Sequence, residues 1–187
     1  LQQVASSRLG VRASRTMQIA PKLDQVIEIE GETIGLITYM RTDGTNLSKD
    51  AVSSFRNYIE KEIGKEYLPE NILNYSGKKA KNAQEAHEAI RPTDIIRTPQ
   101  SVKKYLSPDQ NKLYDLIWSR ALSSQMESAK FDRNTITIMS DNEDTICKAS
   151  GSVLKFDGFL KIYNNPSTDE DENILRPMSK GQCNIEE

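Results

Sequence analysis

The sequence predicts an α+β chain in two parts: a mainly helical, winged-helix-like unit over 1–130 and a β-rich unit over 131–187. Apolar residues recur at helical spacing through much of the first 130 residues. One short β-prone run, 34–40, interrupts them, so two helices precede a strand and further helices follow it. After Lys130 the pattern changes to alternation with period 2, as in half-buried strands.

Each element has a local cause. Leu1, Val4, Ala5 and Leu9 share one helical face, and Gly10 is a stop. Ser14 offers an N-cap for a second helix that turns Met17, Ala20 and Leu23 inward, and Pro21 should kink or shorten it. A strand is expected over 34–40, followed by turn-forming residues 41–46. Ser48 caps a third helix with Leu47 placed as a hydrophobic staple against Val52; Val52, Phe55, Ile59 and Ile63 form its buried stripe up to Gly64. The stretch 65–102 reads as largely irregular, punctuated by Pro69, Gly77, Pro92 and Pro99. Ser107-Pro108 then begins a helix of roughly 19 residues, with Leu113, Leu116, Ile117, Leu122 and Met126 inward and Tyr114 and Trp118 as packing groups. Beyond the boundary near 130, strands are expected at 135–139 and 145–149 around an acidic turn at 141–144. A further strand is expected near 152–156. The acidic run 168–172 reads as an exposed loop.

Composition excludes several classes. No apolar run among the 187 residues approaches the ~18–20 needed to span a bilayer, and the first residues read as helix rather than as a signal peptide. The chain opens in mid-pattern without methionine, which predicts a piece of a longer polypeptide. Cys147 and Cys183 lie far apart without CxxC spacing. With a single histidine they cannot supply the four ligands of a structural zinc site, so two free thiols in a reducing compartment are expected. The net charge of −2 conceals an asymmetry: residues 1–133 carry 20 Lys/Arg against 17 Asp/Glu, and the remainder 5 against 10. Arg8, Arg12, Arg15 and Lys22 give the first 27 residues a basic surface suited to a few phosphates, or simply a solvated helix face.

The segment Gly35-Leu36-Ile37-Thr38-Tyr39-Met40-Arg41-Thr42-Asp43 is the chemically richest. On a strand, residues 37, 39 and 41 share a face, so Tyr39 and Arg41 would project together. An unassisted phenol has a pKa near ~10 and is a poor nucleophile at neutral pH. A neighbouring guanidinium favours the phenolate and clamps a phosphate bidentately. From these residues alone, a packing tyrosine with a wet hydroxyl is the alternative. The only histidine lies in a second notable run, Gln84-Glu85-Ala86-His87-Glu88-Ala89-Ile90-Arg91-Pro92.

The first run, continued by Thr45-Asn46-Leu47-Ser48, resembles the active-site signature of type IA DNA topoisomerases, and the second resembles that family's other signature. They lie about 45 residues apart in the family's order. Weaker similarity covers nearly the whole chain, including Leu1–Leu23 and Phe156-Asp157-Gly158-Phe159. The methionine after the tyrosine is more like the bacterial topoisomerase I branch than the topoisomerase III branch, where proline is usual.

The resemblance implies a catabolite-activator-like, winged-helix tyrosine domain joined to part of a β-rich arch. It implies transient cleavage of one DNA strand through a 5′-phosphotyrosyl intermediate, followed by religation, relaxing negative supercoils without ATP. Tyr39 would be the nucleophile and Arg41 would steady the scissile phosphate. His87 would lie beside Asp43, whose carboxylate would raise the imidazole pKa and favour a phosphate contact. Arg91 is open between a structural ion pair and a phosphate contact, while Glu85 and Glu88 read as solvated carboxylates. The partners implied are single-stranded or negatively supercoiled DNA and an N-terminal metal-binding domain of the same polypeptide. Mg2+ would bind in that domain, leaving no metal ligands here and the chain alone inactive in relaxation. A bacterial cytoplasmic, nucleoid-associated location is also implied. Gly44 and Pro21 depart from the family's usual serine and uninterrupted helix. The competing reading is a noncatalytic winged-helix DNA-binding module, in which the second helix would read the major groove.

Overall fold

The computed structural model describes residues 1–25, 27–29, 31–75, 88–139 and 146–163, which divide into two compact units, Leu1–Glu127 and Ser128–Glu187. Among the described residues no helix is long and apolar enough to cross a membrane.

In the first unit α1, Gln2–Leu9, ends where Gly10 adopts the left-handed conformation (φ 65°) and its N–H returns to Ser6 O. Helix α2, Ala13–Asp24, starts one residue before the expected cap: Arg12, in extended conformation, occupies the N-cap position without a side-chain hydrogen bond, and Ser14 lies inside the helix. Thr16, Ile19, Ala20 and Leu23 form its buried side, with Met17 half-buried. Pro21 neither ends nor shortens α2. It stands one turn from the end, and its own carbonyl still accepts Gln25 N–H at 2.8 Å.

A small antiparallel hairpin follows: β1, Ile27–Ile29, pairs with β2, Glu32–Ile34, through Gly31 at φ 84°. The strand expected over 34–40 is therefore displaced toward the N-terminus. Residues 35–40 run as irregular, bent chain with a single β-bridge, Ile37 opposite Pro92. Helix α3, Lys49–Tyr58, is capped by Ser48, whose hydroxyl accepts Ala51 N–H, and continues as a wider i→i+5 turn over Ile59–Ile63. A single-turn α4, Pro99–Val102, capped by Thr98, precedes α5, Pro108–Ser123. Ser107 caps the long helix as expected and forms a full capping box with Gln110: Ser107 Oγ accepts Gln110 N–H, and Gln110 Oε1 accepts Ser107 N–H at 2.9 Å. At 16 residues it is a turn shorter than expected.

Leu23, Phe55, Ile59, Leu113, Leu122 and Met126 make up much of the core. Each such side chain contributes about 1.5–3 kcal/mol of transfer free energy when fully buried. Tyr114 and Trp118 pack as the helical spacing requires, and both satisfy their polar ends on one neighbouring segment: Tyr114 Oη donates to Arg97 O at 2.7 Å and Trp118 Nε1 to Ile95 O at 3.0 Å. This pins 95–97 onto α5.

In the second unit β3, Lys130–Met139, and β4, Ile146–Phe156, form one antiparallel ribbon, with register running from Lys130↔Phe156 to Met139↔Ile146. The two strands expected at 145–149 and 152–156 are thus one. Because β3 begins five residues earlier than the alternation suggested, Thr135 and Asn134 supply partners for Ser150 and Gly151, which bridges the gap. A single 3-10 turn, Gly158–Lys161, follows. Cys147 is a free, exposed thiol; Cys183, the turn 141–144 and the acidic run 168–172 lie outside the described residues.

Candidate active site

The path to Tyr39 begins at the C-terminal end of α2. Leu36 and Ile37 both direct their N–H groups at Leu23 O, at 2.8 and 3.3 Å, capping the helix with the chain that leads to the tyrosine. This approach requires glycine at position 35, where a Cβ would lie 2.6 Å from Asp24 O. Leu36 and Ile37 are consecutive and both buried, which no strand with one wet face permits. Ile37 is buried while Tyr39 is exposed, so the two do not share a face as the period-2 reading assumed. Contact with both α2 and residues 89–93 decides which side chains are covered.

Those residues belong to the second run. Thr38 N–H donates to Arg91 O at 2.9 Å, and Thr38 Oγ1 donates to Ala89 O at 2.8 Å while accepting Arg91 N–H at 3.0 Å. Two residues further along the second run and two back along the first, Thr93 N–H donates to Leu36 O and Thr93 Oγ1 to Gly35 O at 2.6 Å. With Trp118 and Tyr114 holding 95–97, the tyrosine segment is supported through 93 from the core helix.

Beyond Thr38 the chain emerges. Tyr39 is 57% exposed, Met40 tucks back into the core, and Arg41 and Asp43 are again exposed. Among the described residues none of the Tyr39, Arg41 and Asp43 side chains makes a hydrogen bond or ion pair. The turn is closed by Thr42, whose Oγ1 accepts Gly44 N–H at 2.9 Å, so it forms without a serine hydroxyl at 44. Thr45 Oγ1 donates to Tyr75 O, and Asn46 O accepts Ala89 N–H at 2.8 Å.

The other six tyrosines are engaged or covered. Tyr67 and Tyr114 are buried; burial pushes the Tyr114 phenol well above its ordinary pKa, with Asp94 adding to the rise. Tyr58 stacks edge-on against Trp118 at 5.8 Å, and burial followed by Glu62 raises its pKa. Tyr75 donates to Ser124 O at 2.9 Å, and Tyr105 and Tyr163 are half-buried. Tyr39 is the most exposed phenol of the seven.

One acidic side chain is placed differently from the sequence reading, and its basic partner, Arg91, makes the structural ion pair that was one of its two alternatives. Glu88 is a fixed ion-pair partner rather than a solvated carboxylate: it receives Arg91 Nε at 2.7 Å and Nη2 at 3.0 Å, a bidentate pair, and also Ser48 N–H at 2.8 Å. Burial works to raise its pKa, but the hydrogen bonds from Arg91 and Ser48 outweigh it and hold the carboxyl below its ordinary value. Arg91 spends its remaining nitrogen on Pro92 O at 2.8 Å. It is the centre of a structural network, and its side chain is only 14% exposed. The i,i+3 spacing of Glu88 and Arg91 was visible in the sequence and is the signal that could have paired them. Glu85 and His87 lie outside the described residues, as does any juxtaposition of His87 with Asp43. On α2, Arg15 pairs with Asp109 at 2.6 Å, so one of the cations expected on its surface is neutralised within the fold.

Among the described residues no three His, Cys, Asp or Glu side chains converge in a way that would hold a metal ion.

A mixed helix-and-sheet fold whose two polar runs meet beneath a loop carrying the exposed Tyr39 and Arg41 is that of a DNA topoisomerase fragment. The chain belongs to the bacterial DNA topoisomerase family, whose model matches residues 1–187. It is 50% identical to DNA topoisomerase 1 of Rickettsia typhi over 187 residues, 99% of this chain and 24% of that protein. It is 47% identical to DNA topoisomerase 1 of Helicobacter pylori over 170 residues, 91% of this chain and 23% of that protein. Full-length topoisomerase I from Thermotoga maritima superposes with a TM-score of 0.79 at 35% identity, over 97% of this chain and 28% of that one. The chain spans about a quarter of the length of the curated relatives it matches.

Proposed function

We propose that this chain is the tyrosine-bearing portion of a type IA DNA topoisomerase, an isomerase that changes DNA topology without ATP. Residues 1–130 would form its winged-helix (catabolite-activator-like) tyrosine domain and residues 131–187 part of its β-rich arch. The observation that carries this reading is Tyr39: a phenol 57% exposed, without a hydrogen-bond partner among the described residues, on a segment otherwise tied down on both sides.

In the proposed reaction Tyr39 Oη attacks the phosphorus of a single-strand phosphodiester. The P–O3′ bond breaks, the phenolic proton is lost, and the departing 3′-oxygen is protonated, leaving a 5′-phosphotyrosyl bond and a 3′-hydroxyl. After strand passage the 3′-hydroxyl attacks the same phosphorus and expels the phenolate. One phosphodiester is exchanged for another of similar energy, so no nucleotide is consumed. Arg41, two residues from Tyr39 and equally exposed, is suited to hold the phosphate oxygens and the charge that develops on them. His87, its imidazolium favoured by the Asp43 carboxylate, is proposed to contact a DNA phosphate near the cleavage point, and Arg91 to support the site from within the fold.

Mg2+ is proposed to act in an N-terminal domain outside this chain, and these residues alone are expected not to relax supercoiled DNA. DNA, single-stranded or negatively supercoiled, is the proposed partner, and the bacterial cytoplasm, at the nucleoid, the proposed location. The test supplies the complete enzyme with Mg2+ and single-stranded DNA labelled at one end or the other. A covalent adduct retaining the label on the 5′-phosphoryl side, abolished in Tyr39→Phe, is expected. No adduct from the complete enzyme, or an undiminished one in Tyr39→Phe, would overturn the proposal.

A further inference from the structure

The loop 39–47 carries Tyr39, Arg41 and Asp43, and both of its ends are bound by residues of one short segment, 88–91. At its start Thr38 exchanges three hydrogen bonds with Ala89 and Arg91. At its end Asn46 O accepts Ala89 N–H, Asn46 and Glu88 form a parallel bridge, and Ser48 N–H donates to the Glu88 carboxylate. Residues 88–91 therefore clasp the loop at its two feet and leave its tip free.

Glu88 makes the clasp a single unit. Its Oε1 takes Ser48 N–H at the N-terminus of α3, where the helix dipole favours a negative charge, while Ser48 Oγ takes Ala51 N–H. This is the arrangement of a capping box, except that the carboxylate comes from 40 residues away instead of from the helix's own first turn. The same carboxylate grips Arg91 bidentately, at 2.7 and 3.0 Å, and Arg91 supplies both backbone bonds to Thr38. The route from one foot of the loop to the other is thus Thr38, Arg91, Glu88, Ser48, four residues joined by directional, partly charge-assisted hydrogen bonds. A bidentate guanidinium–carboxylate pair fixes both distance and plane, which a single surface ion pair does not.

We propose that Glu88 is a positioning residue for the tyrosine: through Arg91 and Ser48 it sets the spacing of the two feet of loop 39–47, and so the aim of Tyr39 and Arg41 at the scissile phosphate. The inference rests on the reading of Tyr39 as the nucleophile. Glu88 touches neither DNA nor the reacting atoms. Its effect should therefore fall on the chemical step, since misplacement of a reacting group by about 1 Å costs on the order of 100-fold in rate while binding made elsewhere persists.

The test uses the complete enzyme carrying Glu88→Gln, which keeps an acceptor for Ser48 N–H but loses the charge and one of the two bonds to Arg91. A second variant, Thr38→Val, cuts the clasp at its other foot without touching a charge. Three quantities are measured: the single-turnover rate of covalent adduct formation at saturating single-stranded DNA, the noncovalent Kd for that DNA, and the thermal midpoint. The expected result for both variants is a fall in adduct rate of roughly 10- to 100-fold, with Kd within about threefold of the parent and the protein folded at the assay temperature. An unchanged adduct rate in folded Glu88→Gln overturns the proposal. So does a rate loss in both variants that is matched by the loss of folded fraction, because that is what a merely structural role predicts. If the parent enzyme forms an adduct that Tyr39→Phe abolishes, the reading of Tyr39 stands whichever way Glu88→Gln falls.

Discussion

Gly35→Ala is the most direct test of how the tyrosine segment is held. The new methyl would sit 2.6 Å from Asp24 O, a backbone atom that cannot swing aside, whereas ordinary contact begins at 3.4 Å. Separation of the two backbones by roughly 0.8 Å weakens the bonds from Leu36 and Ile37 N–H to Leu23 O and strains the 2.6 Å bond from Thr93 Oγ1 to Gly35 O. Overpacking of this kind costs about 1–3 kcal/mol, and the three hydrogen bonds, weakened rather than lost, add about 1 kcal/mol between them. The expected destabilisation is about 2–4 kcal/mol, read by urea denaturation as a lowered midpoint at unchanged slope. For a chain of this size it corresponds to a fall in Tm of about 5–15 °C. Gly10→Ala is the control, because nothing lies within 4 Å of the added methyl and only the left-handed backbone (φ 65°) opposes it. That variant should lose only about 1 kcal/mol. If Gly35→Ala stays within 0.5 kcal/mol of the parent, or loses less than Gly10→Ala, the close approach to Asp24 is not what position 35 provides.

Two further outcomes follow from the charged groups. Glu88 has a folded-state pKa below its unfolded value, so its contribution to stability is complete above about pH 4.3–5 and disappears as pH falls through the lowered folded pKa. Glu88→Gln should accordingly be destabilised by about 1.5–3 kcal/mol at pH 7 and approach the parent below about pH 4; denaturation midpoints that differ equally at pH 7 and pH 3 would contradict the ion-pair assignment. On the proposed coupling of Asp43 to His87, Asp43→Ala should weaken noncovalent DNA binding by the complete enzyme at pH 7 by roughly tenfold, the equivalent of one charged hydrogen bond. Unchanged binding in a filter or anisotropy assay would dismiss the coupling of Asp43 to His87.

Much of the architecture is written in local patterns that need only nearest neighbours to act. Ser107-Pro108 with Gln110 makes a capping box, Ser48 caps α3, Gly10 ends α1, and the spacing of Leu113, Tyr114, Ile117 and Trp118 sets the buried face of α5. Each depends on contacts within about four residues, so the sequence by itself determined them, together with the two runs that mark the family and the place of Tyr39 and Arg41 in the first of them. Where prediction failed, a distant partner had intervened. Residues 35–40 have the composition of a strand, yet their hydrogen bonds go to Leu23, Arg91 and Thr93, and those partners rather than period 2 decide that Ile37 is covered and Tyr39 is not. Pro21 is accommodated because it stands in the last turn of α2, where it forfeits only the bond its own N–H would have made to Met17 O, and the chain beyond still closes on Pro21 O and Leu23 O. Glu88 reads as a solvated acid until the fold brings Ser48 to it across 40 residues. Backbone satisfaction over such separations has no signature in a single sequence, because any of several loops of similar length could supply the partner. The sequence thus named the tyrosine, and only the tertiary structure decided which residues hold its loop at both ends.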